Sequence, residues 1–298
     1  MAPQNSLYLV DLYQVNSAYG GLDNTLSVNF NYRDQWGGIT GHPRQFLVNA
    51  HLPVVIWNGG VGAFLKSDRL GGLSLTSAGV SYNRILKQES GVISFGSSLG
   101  ITQARLDGSA IITPQGIYEP GLIDHQDLLL GNRLDRGIRL DYDLSLFIGH
   151  EKFDLGISIS NLFFPDQGVG DTSIDNSKNI TAIGRYPVRL LDMILYPSVL
   201  IKTDLQSYQT DLSCIAKSGN VFGGLSLRGY NSQSLDAVVI IAGIEFNRNY
   251  TLSYSYDVGL NEIGSFSGGS HELNINYNLN RLLGIGLPPE IIYNPRYL

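Results

Sequence analysis

The sequence predicts an all-β protein, a transmembrane antiparallel outer-membrane β-barrel of about 14 strands with a short N-terminal non-barrel segment. The main observation is an alternation within 271–280, where Leu273, Ile275, Tyr277 and Leu279 would share one strand face and asparagines the other. Only 15% of the residues are charged, compared with about 25% in soluble domains. No apolar run approaches the roughly 20 residues of a membrane-spanning helix. These features predict a lipid-facing exterior and a wet interior.

The same alternation returns in four other segments, which are 25–33, 138–148, 153–161 and 251–258. With the turn-forming residues between them, the pattern predicts strands at 24–36, 44–53, 58–67, 72–86, 91–105, 137–149, 152–163, 186–196, 198–204, 206–217, 220–230, 236–247, 250–259 and 270–280. Spanning strands take about 9–11 residues each, so the chain accommodates this number of crossings. It divides into an N-terminal segment at 1–23, the barrel at 24–280 and a C-terminal tail or rim segment at 281–298.

The predicted strands are joined by connections of two lengths. Short ones such as 217–220 contrast with two long ones that contain Pro and Gly, at 106–136 and 163–185. A barrel with one short-turn rim and one long-loop rim produces this contrast, and an even strand number places both chain ends in the periplasm. The first 23 residues do not alternate, and they predict a short helical or irregular apolar segment.

Composition and charge limit the classes of partner and cofactor. The formal net charge of −6 argues against a nucleic-acid partner, because phosphate binding needs a basic surface. The single cysteine, Cys214, rules out an internal disulfide framework and a multi-cysteine metal site. The five histidines lack the His-Glu-x-x-His spacing, so we expect no metal and no cofactor. The first residues lack a signal-peptide pattern, so we expect the mature form after signal-peptide removal.

The search for catalytic residues gives no specific candidate. A nucleophile elbow of the Gly-x-Ser-x-Gly type is absent, and the many serines offer only chance pairings. We therefore expect a non-enzymatic protein. A lipid-modifying barrel enzyme stays open as an alternative, and it would require a Ser-His pair within hydrogen-bond reach on the outer wall.

Seven charged residues occupy the polar faces of the predicted strands. An Arg that faced lipid at the midplane would cost about 2–4 kcal/mol, so we expect these side chains to point into the lumen. Opposite charges there could form a structural network or line a solute-selective pore, and the sequence favours the network without excluding the pore. The seven are Arg33, Arg139, Asp141, Asp143, Asp154, Arg228 and Asp257.

An ordered set of short motifs resembles the PorP/SprF family of outer-membrane proteins. Asn16-Ser-Ala-Tyr-Gly-Gly21 is similar to the family's Asn-Pro-Ala-Tyr-Ala-Gly, and Tyr32-Arg-Asp-Gln-Trp36 is similar to its Tyr-Arg-x-Gln-Trp. Ser17 and Gly20 depart from the first motif, although both suit a turn. The positions that carry the resemblance span nearly the whole chain and are Asn16, Ala18, Tyr19, Gly21, Tyr32, Arg33, Gln35, Trp36, Gly41, Pro43, Pro53, Pro197, Lys202, Gly224, Arg228, His271, Glu272, Pro295 and Arg296.

The resemblance implies a component of the Bacteroidetes type IX secretion system. Family members help deliver and anchor surface adhesins, including gliding adhesins, through the C-terminal domains of those cargoes. The implied partners are therefore an adhesin C-terminal domain, other secretion components and outer-membrane lipid. The connections at 106–136 and 163–185 would be candidates for the cargo surface, and the segments 1–23 and 281–298 for a plug or a periplasmic contact. The resemblance implies no catalytic residue.

A channel remains the main alternative function. Fatty-acid transport barrels also carry an Asn-Pro-Ala-like segment near a plug, so an outer-membrane channel or a hydrophobic-solute transporter would fit the same opening motif. Conductance or ligand uptake would separate this alternative from the anchoring function.

Overall fold

A computed structural model describes residues 4–119, 122–127, 133–163, 166–170, 172–175, 178–230, 234–260, 262–281 and 283. The predicted motif positions Pro295 and Arg296, and nearly all of the 281–298 segment, lie outside these residues. None of the helices in this part of the chain is long and apolar enough to cross a membrane.

Fourteen strands form the wall of the barrel. They are β1 Ser27–Gln35, β2 Arg44–Val54, β3 Gly59–Leu70, β4 Leu73–Gln88, β5 Gly91–Asp107, β6 Leu134–His150, β7 Asp154–Ser160, β8 Asn179–Arg185, β9 Met193–Thr203, β10 Tyr208–Ser218, β11 Val221–Tyr230, β12 Ser234–Phe246, β13 Tyr250–Gly259 and β14 Ser270–Asn278. Each strand pairs antiparallel with the next, and β1 pairs with β14, so the sheet closes on itself. The predicted fold class and strand number are confirmed.

Shorter elements lie in the connections between the wall strands. Two small hairpins pair Ile117–Glu119 with Leu122–Asp124, and Asp166–Val169 with Thr172–Asp175. Val188–Leu190 pairs with the start of β9. Within the described residues, the helical elements are the 3-10 turns Ser17–Tyr19, Val55–Trp57 and Gly108–Ala110 and one α-helix, Glu262–Ser267.

The strand prediction was wrong between residues 163 and 204. The predicted long connection 163–185 contains the wall strand β8, and the two predicted strands 186–196 and 198–204 correspond mainly to one strand, β9. The prediction broke this strand at Pro197, although proline is tolerated where its missing N–H is not needed. The Pro197 carbonyl accepts from the Tyr186 N–H, just past the end of β8. The backbone nitrogen of Pro197 therefore also points toward β8, and the ladder between β9 and β10 continues through this residue. The prediction missed β8 and counted β9 as two strands, so the predicted number of 14 strands was still correct.

The two faces of the wall differ as the alternation predicts. Outward-facing aliphatic side chains are well exposed, as Ile138 at 71% and Val80 at 61% illustrate, whereas the inward Asn274 and Asn276 are buried. Exposed apolar side chains all around a closed wall match a barrel bathed in lipid. The alternation therefore predicts both the barrel fold and the lipid that surrounds its outer face.

The two rims of the barrel carry different connections. The rim that contains the start of β1 and the end of β14 has short turns such as 89–90, 151–153 and 219–220, and we call it the inner rim. The opposite outer rim carries the connections 36–43, 108–133 and 161–178. In outer-membrane barrels the short turns are periplasmic and the long loops extracellular, which sets the orientation of this chain.

The wall is taller on one side than on the other. Strands β5 and β6 have 17 residues each, whereas β7 and β8 have seven. β6 pairs with β5 along Leu134–His150 but with β7 only along Leu144–Gly149. Among the described wall strands, none pairs with β6 above Leu144 on its β7 side, and the hairpin strand Asp166–Val169 packs on this upper part of β6, where a Cβ added at Gly137 would collide with the Gly168 carbonyl oxygen.

The core of the protein lies inside the barrel, where the expected wet lumen is partly filled. Apolar residues from the first 23 positions pack on inward-facing wall residues such as Phe147, Leu200 and Val239. Close approach is possible because small residues face the segment: a Cβ added at Gly96 would lie 2.5 Å from the Ala18 nitrogen. The residues of the segment in these clusters are Leu7, Tyr8, Val10, Leu12, Tyr13, Ala18, Tyr19 and Leu22.

Candidate functional site

The N-terminal segment, residues 4–23, passes through the bore and contacts the wall at several heights. Near the inner rim, Gly21 lies against Pro53 and Gly60, close to the end of β2 and the start of β3. Ser6 reaches the outer half, where it contacts Glu272 near the start of β14. Since β1 begins at the inner rim, the segment extends upward from that rim into the outer half of the bore.

Ser6 lies within a group of buried charges that we call the anchor cluster: Arg33, Lys202, Asp211, Arg228, Asp257 and Glu272. The Asp257 carboxylate joins the two arginines, at 2.6 Å from Arg33 Nη2 and 2.8 Å from Arg228 Nη1. Arg33 also pairs with Glu272 at 2.9 Å, and Arg228 with Asp211 at 3.0 Å. Inward positions on strands β1, β9, β10, β11, β13 and β14 supply these side chains.

Hydrogen bonds tie the N-terminal segment to this cluster. The Ser6 N–H donates to Glu272 at 2.7 Å, and the Ser6 hydroxyl donates to Asp257 at 2.9 Å. The same hydroxyl accepts from Arg33 at 3.0 Å and from Arg228 at 2.9 Å. One serine thus contacts four wall strands, β1, β11, β13 and β14.

The anchor cluster balances its own charge. Lys202 is buried beside Asp211, so three cations stand against three carboxylates and the formal charge sums to zero. Burying an ion costs several kcal/mol unless partners compensate for the lost water. Mutual pairing with extra hydrogen bonds supplies that compensation here, and it makes each member dependent on the others.

Below the cluster, the opening motif fixes the segment by specific hydrogen bonds. The Asn16 side chain accepts from the Ala18 N–H at 3.0 Å and donates to the carbonyls of Leu146 and Ile157. It therefore caps the 3-10 turn Ser17–Tyr19 and joins that turn to β6 and β7.

The rest of the motif closes the chain toward β1. The Tyr19 hydroxyl donates to Asp23 at 2.7 Å, and the Gly21 N–H donates to His51 Nδ1 at 3.1 Å. Gly21 has φ = +73° and a Cβ there would lie 2.9 Å from Pro53, so both backbone conformation and space favour glycine. These contacts give four motif positions, from Asn16 to Gly21, a structural explanation.

The seven charges predicted for the lumen all lie on inward faces, but they form three separate groups. Arg33, Arg228 and Asp257 belong to the anchor cluster. Arg139 pairs with Asp141 at 2.6 Å on β6, in what we call the β6 charge group.

Asp143 completes the β6 charge group. It accepts from Ser98 at 3.1 Å and from the Asn161 N–H at 3.1 Å. Asp154 forms the third group near the inner rim, where it accepts from Arg185 Nε at 2.9 Å.

Other motif positions lie in turns and on the lipid-facing wall. The Gln35 N–H donates to the Pro43 carbonyl at 2.9 Å, and Trp36 and Gly41 have positive φ in the connection between β1 and β2. His271 faces outward, and its Nδ1 lies 2.6 Å from the Tyr254 hydroxyl. Two further motif positions, Tyr32 and Gly224, lie in the wall strands β1 and β11.

Sequence reasoning missed Ser6, Asp211 and Arg185 as members of these groups. The inward period of β10, shared by Gln209, Asp211 and Ser213, could have identified Asp211. Arg185 lay in a predicted loop, so no feature of the sequence indicated that it would pair with Asp154. Ser6 comes from a segment without any period.

A small cavity of about 70 Å³ opens between the segment and the wall near the inner rim. Leu9 and Val10 line it from the segment, and the Lys217–Glu245 ion pair lies on its wall side at 2.8 Å. Among the described residues, no group of three His, Cys, Asp or Glu side chains could hold a metal ion. The contacts between the N-terminal segment and the wall hold that segment in the bore.

The fold is similar to those of solved outer-membrane proteins. Omp33 from Acinetobacter baumannii matches with a TM-score of 0.50 at 8% sequence identity, covering 85% of this chain and 97% of that one. The TodX deltaS2S3 mutant, a monoaromatic hydrocarbon channel, matches with a TM-score of 0.44 at 10% identity, covering 84% and 87%. At such low identities the likeness shows the barrel fold alone.

The family comparison is more specific. No curated protein sequence matches the chain. The model of the family described as the type IX secretion system membrane protein PorP/SprF matches residues 2–277, nearly the whole length. The predicted family is confirmed, and this chain belongs to the PorP/SprF family of type IX secretion membrane proteins.

Proposed function

We propose that this barrel is a non-catalytic component of type IX secretion that binds the C-terminal domain of a surface adhesin, helps to deliver it and anchors it at the cell surface. Family membership supports the secretion role, and other components of the same machinery are partners of the family. The protein acts as a mature outer-membrane barrel after removal of a signal peptide.

The observation that carries this proposal is the occupied bore. The N-terminal segment packs against opposite walls, and the anchor cluster fixes its upper part. A barrel that holds its own chain inside offers cargo its rims and outer connections. In this proposal the N-terminal segment acts as a plug, and the charged wall residues act as its attachment.

The outer rim supports a role in contact with cargo at the surface. Its two longest connections, 108–133 and 161–178, overlap the predicted cargo regions 106–136 and 163–185, although β8, within the second region, belongs to the wall. Loops on a rigid scaffold are the usual positions for binding residues. The segment that follows β14 leaves from the inner rim and is a candidate for periplasmic contacts.

Binding can be tested directly with the full barrel in lipid nanodiscs. The probe is the isolated C-terminal domain of an adhesin that the same bacterium secretes by this route, with an unrelated outer-membrane barrel as the matched control. We expect saturable binding to this barrel alone, measured by biolayer interferometry. Binding equal to that of the control would refute the proposal.

A conductance measurement addresses the alternative channel function. Because the segment occupies the bore at several heights, we expect the full-length barrel to conduct no ions in planar bilayers. Steady single-channel currents from the intact protein would favour the channel or transporter function over anchoring.

A further inference from the structure

Two pairs of arginines lie on the outer surface of the wall, near the outer ends of four strands. Arg44 on β2 is the direct ladder partner of Arg69 on β3, and Arg105 on β5 is the direct partner of Arg136 on β6. All four residues are exposed. Ser74 of β4 pairs with both Arg69 and Arg105, so one row of neighbouring positions crosses five strands.

The register places the arginine pairs on the same face as the lipid-exposed apolar residues. Residues separated by an even number of positions lie on one face of a strand, and ladder partners lie on the same face of a sheet. Two or four positions from Arg69, Arg105 and Arg136, toward the inner rim, the strands carry exposed aliphatic side chains. These are Leu65, Ile101 and Ile138. The arginines therefore point away from the lumen, just above the apolar surface.

Strand β4 gives the height of this row above the opposite membrane interface. Ser74 lies in the row, and the outward-facing Arg84 lies ten residues further along β4. Arg84 Nη1 donates to the carbonyl of the exposed Trp57 at 2.7 Å, beside the turn that joins β2 to β3 at the inner rim. Ten residues of a strand tilted by about 40° rise about 25 Å, which is the height of the apolar band of a membrane barrel. The row therefore lies at the level of the lipid headgroups of the outer leaflet.

The two pairs lie at different heights within the headgroup layer. Arg44 is ten residues from the inner-rim end of β2, whereas Arg136 is 14 residues from the inner-rim end of β6. Four additional residues on a tilted strand raise the second pair by about 10 Å relative to the inner rim. The first pair thus borders the apolar band, and the second pair extends further outward.

Each pair carries positive charge that its surroundings do not fully neutralise. Like charges on directly opposed strand positions repel each other. In the described part of the chain, Arg69, Arg105 and Arg136 have no hydrogen-bond or ion-pair partner. Asp107, two residues beyond Arg105, accepts instead from the Ser109 N–H at 3.1 Å. The pair on β5 and β6 therefore lacks an anion.

The pair on β2 and β3 is partly compensated. Asp34 lies 3.6 Å from Arg44 Nε, but the same carboxylate also lies 2.8 Å from His42 Nε2. One carboxylate thus faces two arginines and a histidine. An anion from outside the chain would reduce the repulsion in this pair less than in the pair on β5 and β6.

We propose that the two arginine pairs bind phosphate groups of outer-leaflet lipid headgroups and so hold phosphorylated lipid against the β2–β6 side of the barrel. A guanidinium group matches phosphate geometry because it donates two parallel hydrogen bonds. A phosphate between two guanidinium groups also offsets their mutual repulsion. This inference does not depend on the adhesin, since it concerns the membrane around the barrel.

The amphipathic character of this surface favours a lipid over a soluble anion or a protein. The acyl chains of a bound lipid would run along the exposed aliphatic side chains directly below the arginines, which a free phosphate cannot contact. On the other side of the barrel, outward positions near the outer ends of β10 and β13 hold Tyr208 and Tyr256. Such aromatic residues are the usual interfacial ones, so the arginine pairs distinguish one side of the barrel.

The test measures lipid binding to the full barrel by native mass spectrometry from detergent. The probes are lipid A in its bisphosphorylated form and the same lipid with its phosphates removed. The variant Arg105→Gln/Arg136→Gln removes the outermost pair, and Arg189→Gln/Arg248→Gln is the matched control, which removes the same charge from exposed positions at the inner rim. We expect the apparent Kd for bisphosphorylated lipid A to rise about tenfold for the first variant and about twofold or less for the control.

Two further variants sharpen the assignment. Arg44→Gln/Arg69→Gln should raise the Kd less, about threefold, because Asp34 already neutralises part of that pair. Arg105→Lys/Arg136→Lys keeps the charge but loses the forked donors, so its Kd should fall between those of the wild type and the glutamine variant. Heat-modifiable gel migration confirms that each variant is folded before binding is measured.

Each outcome of the lipid titration supports or overturns the proposal. Weakened binding of the bisphosphorylated lipid alone, with the inner-rim control unaffected, supports it. Equal binding of the two lipids by the wild type, or equal losses in the variant and its control, overturns it. Displacement of the lipid by millimolar inorganic phosphate would assign the arginines to a free anion. Unchanged lipid binding by Arg105→Gln/Arg136→Gln, with weakened binding of the adhesin domain, would assign them to a protein instead.

Discussion

The anchor cluster and the β6 charge group both face the outer half of the bore, but they have different neighbours. The anchor cluster surrounds Ser6, and its ion pairs are almost entirely buried. Arg139, Asp141 and Asp143 form hydrogen bonds with one another, with Ser98 and Thr102 of the wall, or with Asn161 of a connection. Inward-facing charges that look equivalent in the sequence therefore have two different functions. Those of the anchor cluster hold the N-terminal segment, and those of the β6 charge group bind neighbouring residues of the wall and its connections.

Removal of the N-terminal segment should have the largest effect of the changes considered, and the property it changes is ion conductance. Deletion of residues 2–15 takes away Ser6 and the apolar side chains that fill the bore, while Asn16 keeps its cap on the 3-10 turn. We expect the deletion variant to conduct ions in planar bilayers because polar wall faces would then line a water-filled path.

The full-length barrel provides the control in the same bilayer. Equal conductance of the two proteins would show that the segment does not block the bore. Ser6→Ala tests the anchor itself: brief openings are expected, fewer than in the deletion variant, since the apolar contacts remain.

Loss of a single arginine should distinguish the two charge groups by stability. Arg228→Met removes the buried ion pair with Asp211 and one of the two ion pairs of Asp257, so the free energy of unfolding should fall by about 3–5 kcal/mol. Arg139→Met should cost about 1 kcal/mol, because Asp141 keeps its bond from Thr102. Urea unfolding in lipid vesicles measures both values, and equal losses would contradict the distinction.

Local sequence patterns were sufficient to predict most strands of the wall, but they were insufficient to predict how the N-terminal segment lies inside the bore. Alternation at 271–280 predicts which side of β14 faces lipid, because each residue's direction depends only on its neighbours in the chain. β8 was missed because seven residues give few alternations and follow a Gly- and Pro-containing stretch. The location of Ser6 depends on partners more than 200 positions away, which no local period encodes.

The inner half of the bore offers a steric test of how closely the plug fits. A methyl group added at Gly96 would lie 2.5 Å from the Ala18 nitrogen, so Gly96→Ala should destabilise the barrel by about 1–3 kcal/mol. Gly184→Ala is the matched control in another wall strand, since its new contacts would be ordinary ones at 3.4 Å and beyond. Thermal unfolding in detergent compares the two, and a plug that sits loosely would tolerate both.

The smallest predicted effect concerns a neutral contact between the plug and the wall. The Tyr8 hydroxyl donates to Ser213 at 2.9 Å and lies 3.2 Å from the Ser198 hydroxyl, inside a buried cluster. Tyr8→Phe keeps the ring and removes the hydroxyl, so the free energy of unfolding should fall by about 1 kcal/mol. Tyr250→Phe removes a hydroxyl from a half-exposed ring on the wall and should change little. A Tyr8 variant as stable as the Tyr250 variant would mean that apolar packing and the anchor cluster hold the segment without this bond.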